Sequence, residues 1–225
     1  MAGCAAYGKM PSLGDFFRLE AQPHFVTPWD AWAQATLTAA RGTLGAAWQA
    51  AYLSAPIWRF ALAPGVAGAQ GVVGVLMPSV DRVGRQFPLT LYAQTGAGEQ
   101  APLRTLAGQG PLLAALEHLA LDCLDDAMTR EALQARLETL TPGLIAGPSA
   151  IGSFGSALVL SNGAEATLCA DLALDLAGGD LHRSCAWSAS VEGAARLILT
   201  AGLPEPAVAH FLFDLGDMQG TGVAT

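Results

Sequence analysis

The chain has 225 residues, of which 52% are hydrophobic and 13% charged, with a formal net charge of −8. That size and apolar content suit one large packed domain and exclude a disordered chain. Residues 1–105 hold seven Lys and Arg against five Asp and Glu, whereas residues 106–225 hold four against fourteen, a balance that disfavours nucleic acid as a partner and leaves the first half open to an acidic protein surface.

In chain order, a short strand is expected at residues 5–8, followed by a turn-rich loop at 9–14. Phe16, Phe17, Leu19 and Phe25 are bulky enough to pin the next segment onto a core. Thr27 reads as the N-cap of a first helix, with Pro28 at its first position and Asp30 where a capping-box acid belongs. Trp29, Trp32, Ala33, Thr36, Leu37, Ala40 and Leu44 then recur at helical spacing, and residues 48–53 add another turn or two. Pro56 stops the helical pattern. Three apolar strands follow at 57–62, 72–77 and 87–92. In the first, Trp58, Phe60 and Leu62 share one face and Ile57, Arg59 and Ala61 the other; in the third, Phe87, Leu89 and Leu91 alternate with Pro88, Thr90 and Tyr92.

Residues 96–110 read as a polar connection. Apolar positions from 111 to 127 mark an amphipathic helix with Glu117, Asp122, Asp125 and Asp126 outward, and Thr129 caps a second helix carrying Leu133, Leu137 and Leu140. Beyond them the pattern predicts a strand at 156–160, a helix at 164–176, a strand pair at 184–189 and 195–201 across Glu192-Gly193, and a last helix from 203 to 213. Hairpins and grouped helices without strict βαβ order predict an α/β fold: a single-domain sandwich with a mixed, largely antiparallel sheet flanked by helices. It spans residues 1–216, with 105–140 able to stand as a small helical lobe and 217–225 as a flexible tail.

The four cysteines show no metal-ligand spacing and fit buried thiols in a reducing cytoplasm. No export signal is visible at the start, and Cys4 follows no apolar segment that would make it a lipidation site. The uncharged runs 60–80 and 143–164 are long enough to cross a bilayer but are broken by Pro and Gly, so no membrane insertion is expected. Residues 3–9 match GxxxxGK, yet Met10 stands where a phosphate loop needs Ser or Thr, and no strand precedes them. Residues 152–155 read GSFG, which is not the GxSxG elbow, and the four histidines lie far apart. No catalytic residue, cofactor or metal is therefore assigned.

The stretch 57–92 is the most informative. Its second turn, residues 78–88, gathers Ser79, Asp81, Arg82 and Arg85 between two buried strands, a placement that favours function. Three readings stand open: Asp81 pairing with an arginine to hold the loop, an interaction surface, and a catalytic or anion site. Trp29, Asp30 and Trp58 divide between core packing and a partner-facing anchor. Arg59, if buried, needs an acid, for which Asp15, Asp30 or Asp81 are the candidates.

Several segments together resemble one family: Tyr7-Gly-Lys-Met-Pro-Ser-Leu-Gly-Asp-Phe16, Phe25-Val-Thr-Pro-Trp-Asp-Ala-Trp32, Ala55-Pro-Ile-Trp-Arg-Phe60, Gly74-Val-Leu-Met-Pro-Ser-Val-Asp-Arg-Val-Gly-Arg85 and Phe87-Pro-Leu-Thr90. They resemble the TagF (ImpM) family of type VI secretion accessory proteins, in its N-terminal domain type. Ser184-Cys-Ala-Trp-Ser188 only partly resembles that family's Ser-x-Trp-Trp-Thr pattern, one tryptophan being absent. The resemblance implies a cytoplasmic, non-enzymatic regulator acting after translation. It implies a repressor that opposes a threonine-phosphorylation pathway and engages a forkhead-associated scaffold protein. Candidates for setting structure or facing the partner are Ser12, Asp15, Trp29, Asp30, Trp58, Arg59, Ser79, Asp81, Arg82 and Arg85. The alternative is a small phosphate-binding or hydrolytic enzyme using the Asp81, Arg82 and Arg85 loop. The sign of regulation, the partner's contact face, the oligomeric state and the role of the 184–188 segment are left open.

Overall fold

Successive side chains of a strand point to opposite faces, and the sheet of this protein buries both. The computed structural model describes residues 3–96, 101–144, 150–154, 157–161, 165–177, 185–191, 194–207 and 209–214. In chain order the strands are β1 (Cys4–Gly8), β2 (Phe17–Leu19), β3 (Trp58–Leu62), β4 (Gly71–Met77), β5 (Leu89–Gly96), β6 (Ala150–Phe154), β7 (Ala157–Ser161), β8 (Cys185–Val191) and β9 (Ala194–Thr200). The helices are α1 (Pro23–Leu44), α2 (Trp48–Ser54), α3 (Pro102–Gly108), α4 (Gly110–Asp122), α5 (Arg130–Glu138) and α6 (Glu165–Ala177). Seven strands form one sheet in the order β2-β1-β5-β4-β3-β8-β9, every pairing antiparallel, while β6 and β7 form a separate hairpin.

Two cores lie on the two faces. Trp58, Phe60, Leu62, Val72, Leu76, Tyr92 and Trp187 turn towards α1, α2 and the 3-10 turn Ala209–Leu212. Ala61, Val73, Val75, Leu89, Leu91 and Ala186 turn towards α3 to α6. The fold is therefore a three-layer α/β sandwich with an antiparallel sheet, as the pattern of segments predicts. No described helix is long and apolar enough to cross a membrane.

Helix α1 begins a full turn earlier than a cap at Thr27 would place it. Gln22 is the N-cap without a side-chain hydrogen bond, Pro23 occupies the first turn, and Pro28 lies inside the helix. An interior proline costs about 3 kcal/mol through its missing N–H and its clash with the preceding turn. Burying Phe25 and Val26 offsets this, since each fully buried side chain of this size contributes about 1.5–3 kcal/mol. Phe25 gains ring contacts with Trp29 at 5.2 Å and Tyr92 at 4.1 Å. Asp30 is released from any capping role and instead accepts from Tyr7 Oη and Gln34 Nε2.

Other boundaries move for local reasons. The connection at 96–110 contains α3, too short to show periodicity but held by buried Leu103, Leu106 and an Arg104–Asp171 ion pair of 2.6 Å to α6. Helix α4 stops at Asp122 and not near 127, where Asp125 Oδ1 accepts from Ala127 N and makes a turn. Thr129 Oγ1 does cap α5, accepting from Ala132 N at 3.1 Å. Strand β6 lies where the sequence pattern predicts none, and the last helix is reduced to the 3-10 turn among the described residues. Strand β5 starts after Pro88, so Phe87 falls on the opposite face from Leu89 and packs edge-on against Tyr7 and Phe16. Ser184, the Glu192-Gly193 turn and the tail from 217 lie outside the described residues.

Gly74 sits opposite both Phe60 and Tyr92 on the aromatic face. A Cβ there would meet Leu91 O at 2.3 Å and Tyr92 Cβ at 2.7 Å. Gly74→Ala is expected to destabilise the fold by about 3 kcal/mol in a urea titration, the upper end for overpacking. Of the four cysteines only Cys169 is exposed; burial pushes the Cys4 thiol up to about 11 and those of Cys123 and Cys185 up to about 12. A thiol reagent at neutral pH is therefore expected to modify Cys169 alone in the native protein, and Cys169→Ser to remove the fast phase.

Candidate interaction surface

Strands β1 and β4 both end in loops rich in turn formers, and those loops dock on each other. In the first, Met10 is fully buried and its carbonyl accepts from Leu13 N at 3.0 Å, closing a turn. In the second, Asp81 N donates to Arg85 O and Gly84 N to Asp81 O, with Gly84 at φ 83°. Arg82 N donates to Leu13 O at 2.8 Å and joins the two backbones.

The Asp81 carboxylate, 2% exposed, is the centre of this arrangement. Its Oδ1 accepts from Val83 N at 3.1 Å and Arg85 N at 2.9 Å, which shapes the loop. Oδ2 accepts from Arg85 Nε at 2.6 Å and Lys9 Nζ at 3.0 Å, which ties the loop to the end of β1. Burial alone would push this carboxyl up. The Arg85 amide, the Lys9 and Arg85 side chains and the Val83 amide outweigh it and hold the carboxyl well below the usual carboxylate range. Lys9 is itself buried, its ammonium 4.7 Å from the centre of the Phe16 ring. Arg85 Nη2 also reaches Gly14 O at 2.6 Å. Residues 3–8 of the GxxxxGK match are largely strand, and its lysine is consumed in this ion pair, so they do not form a phosphate loop.

The remaining candidates divide by place. Ser79 is buried, with Tyr52 Oη bridging its carbonyl (2.7 Å) and amide (3.0 Å), while its own Oγ has no partner among the described residues. Ser12 lies half-buried in the first loop, and Asp15, exposed, accepts from Phe16 N. Arg82 is exposed, its guanidinium against Gly14. Around the docked loops, Val83 is 70% and Phe16 44% exposed.

Trp29 and Trp58 are fully buried elsewhere. Trp29 donates to Thr90 Oγ1 at 2.9 Å and packs against Trp32, Phe60 and Trp187; Trp58 donates to Leu212 O at 2.8 Å. Arg59 finds none of the three expected acids. It lies on the other face of β3 and makes a bidentate pair with Glu117 of α4, at 2.8 and 2.5 Å. Asp15, Asp30 and Asp81 are engaged by Phe16, Tyr7 and Lys9, while the alternation of β3 turns Arg59 towards α4.

Chemically, the cluster is a closed knot. Both Asp81 oxygens are engaged by four donors, which leaves the carboxylate poorly placed to take a proton from a substrate. Its exposed parts, Arg82, Val83, Phe16 and the outer edge of Arg85, suit contact with another surface.

The description "TagF N-terminal domain, Type VI secretion system-associated" belongs to the family model that matches residues 5–140. Among solved structures, the crystal structure of PA0076 from Pseudomonas aeruginosa PAO1 is 32% identical, covers 99% of this chain and 97% of its own, and superposes with a TM-score of 0.77. No curated protein matches the chain.

Asp81→Asn is expected to cost about 3–5 kcal/mol of stability, as for a buried ion pair that loses one partner. The Asp81 carboxyl is depressed in the fold, so its contribution is present above the ordinary carboxylate value and lost as pH falls through the lower folded value. Urea titrations of the two proteins should differ by a constant amount from neutrality to about pH 5 and converge below about pH 4.

Proposed function

The chain belongs to the TagF N-terminal domain family, type VI secretion system-associated, and from that premise we propose that it is a cytoplasmic accessory regulator of the type VI apparatus. It acts after translation as a repressor, by binding a secretion-system component, with a forkhead-associated scaffold protein as the partner. It is a binding protein and not an enzyme.

The observation that carries this reading is the docking of the two motif loops, 9–16 and 78–88, through Asp81. A loop pair held by a buried carboxylate presents its outer side chains at little further cost in ordering, which is what a recognition surface needs. Charged and apolar groups lie exposed together there, Arg82 and Arg85 beside Val83 and Phe16. Against the alternative of a small hydrolytic or phosphate-binding enzyme stands the consumption of Asp81 in its own loop.

The test combines capture and secretion. Tagged protein incubated with a lysate of its host is expected to retain a type VI component, identified by mass spectrometry, and overproduction is expected to lower secretion. Arg82→Glu combined with Val83→Asp, with the circular dichroism spectrum unchanged, should weaken that capture by about tenfold, or 1.4 kcal/mol. Recovery of no secretion component, together with secretion indifferent to deletion and overproduction, rejects the proposal.

A further inference from the structure

Beside the docked loops, a second set of residues that sequence spacing does not bring together forms an open cleft of about 480 Å³. Its lining is Arg41 near the end of α1, Trp48 and Gln49 at the start of α2, and Gly84, Arg85 and Gln86 from the loop before β5. No acidic residue is among them. We propose that this cleft takes up an acidic segment of a protein partner, its carboxylates held by Arg41 and Arg85, with the Arg41 guanidinium braced on the largely buried Trp48 indole. The proposal rests on the reading of the chain as a partner-binding regulator and names the chemistry of what is bound.

The cleft is prearranged by one amide. Gln86 Oε1 accepts both Trp48 Nε1 at 2.7 Å and Arg41 Nη2 at 3.2 Å. Arg41 lies over the Trp48 ring, 5.4 Å from its centre, so stacking and hydrogen bond fix the plane of its guanidinium. With its oxygen occupied twice, Gln86 retains its amide nitrogen as a further donor. Arg85 is held at Nε by Asp81 and at Nη2 by Gly14 O, and its side chain is still 57% exposed. Two guanidiniums are thus oriented by neighbours that leave donors unused, which is the arrangement that binds carboxylates bidentately.

Charge argues for the same occupant. Among the described residues no carboxylate lies within ion-pair distance of Arg41 or Arg82. The one buried acid nearby, Asp81, faces two cations, Lys9 and Arg85. With exposed Asp15 of the first loop included, four cations, Lys9, Arg41, Arg82 and Arg85, still stand against two carboxylates, Asp15 and Asp81, around these loops in a chain whose net charge is −8. Such a patch steers and orients an acidic partner, an effect that added salt weakens.

Fluorescence anisotropy of a fluorescein-labelled hexaglutamate peptide against the full chain tests this. Saturable binding is expected, weakened about tenfold or more by Arg41→Glu and by raising salt to about 0.5 M. Arg130→Glu, on α5 across the sheet, should leave it unchanged. No saturable binding overturns the proposal, as does equal loss in the Arg130→Glu protein. Displacement by inorganic phosphate at concentrations where glutamate monomer has no effect makes it a small-anion site and overturns the docking. Self-association abolished by Arg41→Glu overturns it in favour of a second copy of this chain. Capture of a secretion component that Arg41→Glu does not diminish overturns the cleft and leaves the functional reading standing. Peptide binding without any such capture does the reverse.

Discussion

A carboxylate withdrawn from water is stable only if its charge and lone pairs are answered, and Asp81 is answered four times. Two of the answers are backbone amides from its own loop, so the loop cannot change shape without unpairing a buried charge. The other two are cations, one of which comes from the end of β1. The loop after β1, the loop after β4 and the start of β5 therefore stand or fall together. Every surface feature to which function is attached, from Phe16 to the Arg41 cleft, borders that knot.

Beneath the knot lies the aromatic layer that seats α1 on the sheet. Trp29, Trp32, Phe60 and Trp187 come from one helix and two strands, with ring centres between 4.8 and 6.2 Å apart. Aromatic pairs of this kind contribute about 1 kcal/mol each beyond the area they bury. The indole nitrogens of Trp29, Trp32 and Trp58 donate to Thr90, Pro204 and Leu212, so packing and hydrogen bonding fix the same rings. Trp187 places residues 185–188 of the partly matching segment on β8, next to β3, with its own ring in this layer. It thereby joins the C-terminal strands to the part of the chain that carries the family motifs.

The division of labour follows from these two constraints. Trp29, Trp32 and Trp58, which lie in the motif segments and are natural candidates for a partner's anchor, are taken up by the core, and Trp48 shows the cleft only an edge. What is left at the surface beside the knot is mainly cationic, Arg41, Arg82 and Arg85 against Asp15, with Val83 and Phe16 among them. Under the proposed function, a partner met through such a face would be oriented and steered by charge, with affinity from the smaller apolar contacts.

Much of this was legible beforehand because it is local. Alternation in 57–62 marked that strand and its faces, the unbroken apolar run 72–77 marked a strand without dividing its faces, Thr129 announced α5, and the motif segments named the family. Local preference fails where tertiary packing overrules it. Pro28 entered a helix because Phe25 and Val26 had a core to enter, Phe87 changed faces because the strand begins after Pro88, and α3 is too short to be periodic. Composition, periodicity and motifs by themselves determined an α/β chain with a largely antiparallel sheet and its family, and singled out the 78–88 loop as a charged turn between buried strands. Only the tertiary structure decided that Asp81 answers Lys9, that Arg59 answers Glu117, and that Arg41, Trp48 and Gln86 share one cleft. Asp81 and Lys9, Arg59 and Glu117, and Gln86 and its two partners lie tens of residues apart, and nothing in local spacing selects one distant group over another until the sheet has set which faces meet.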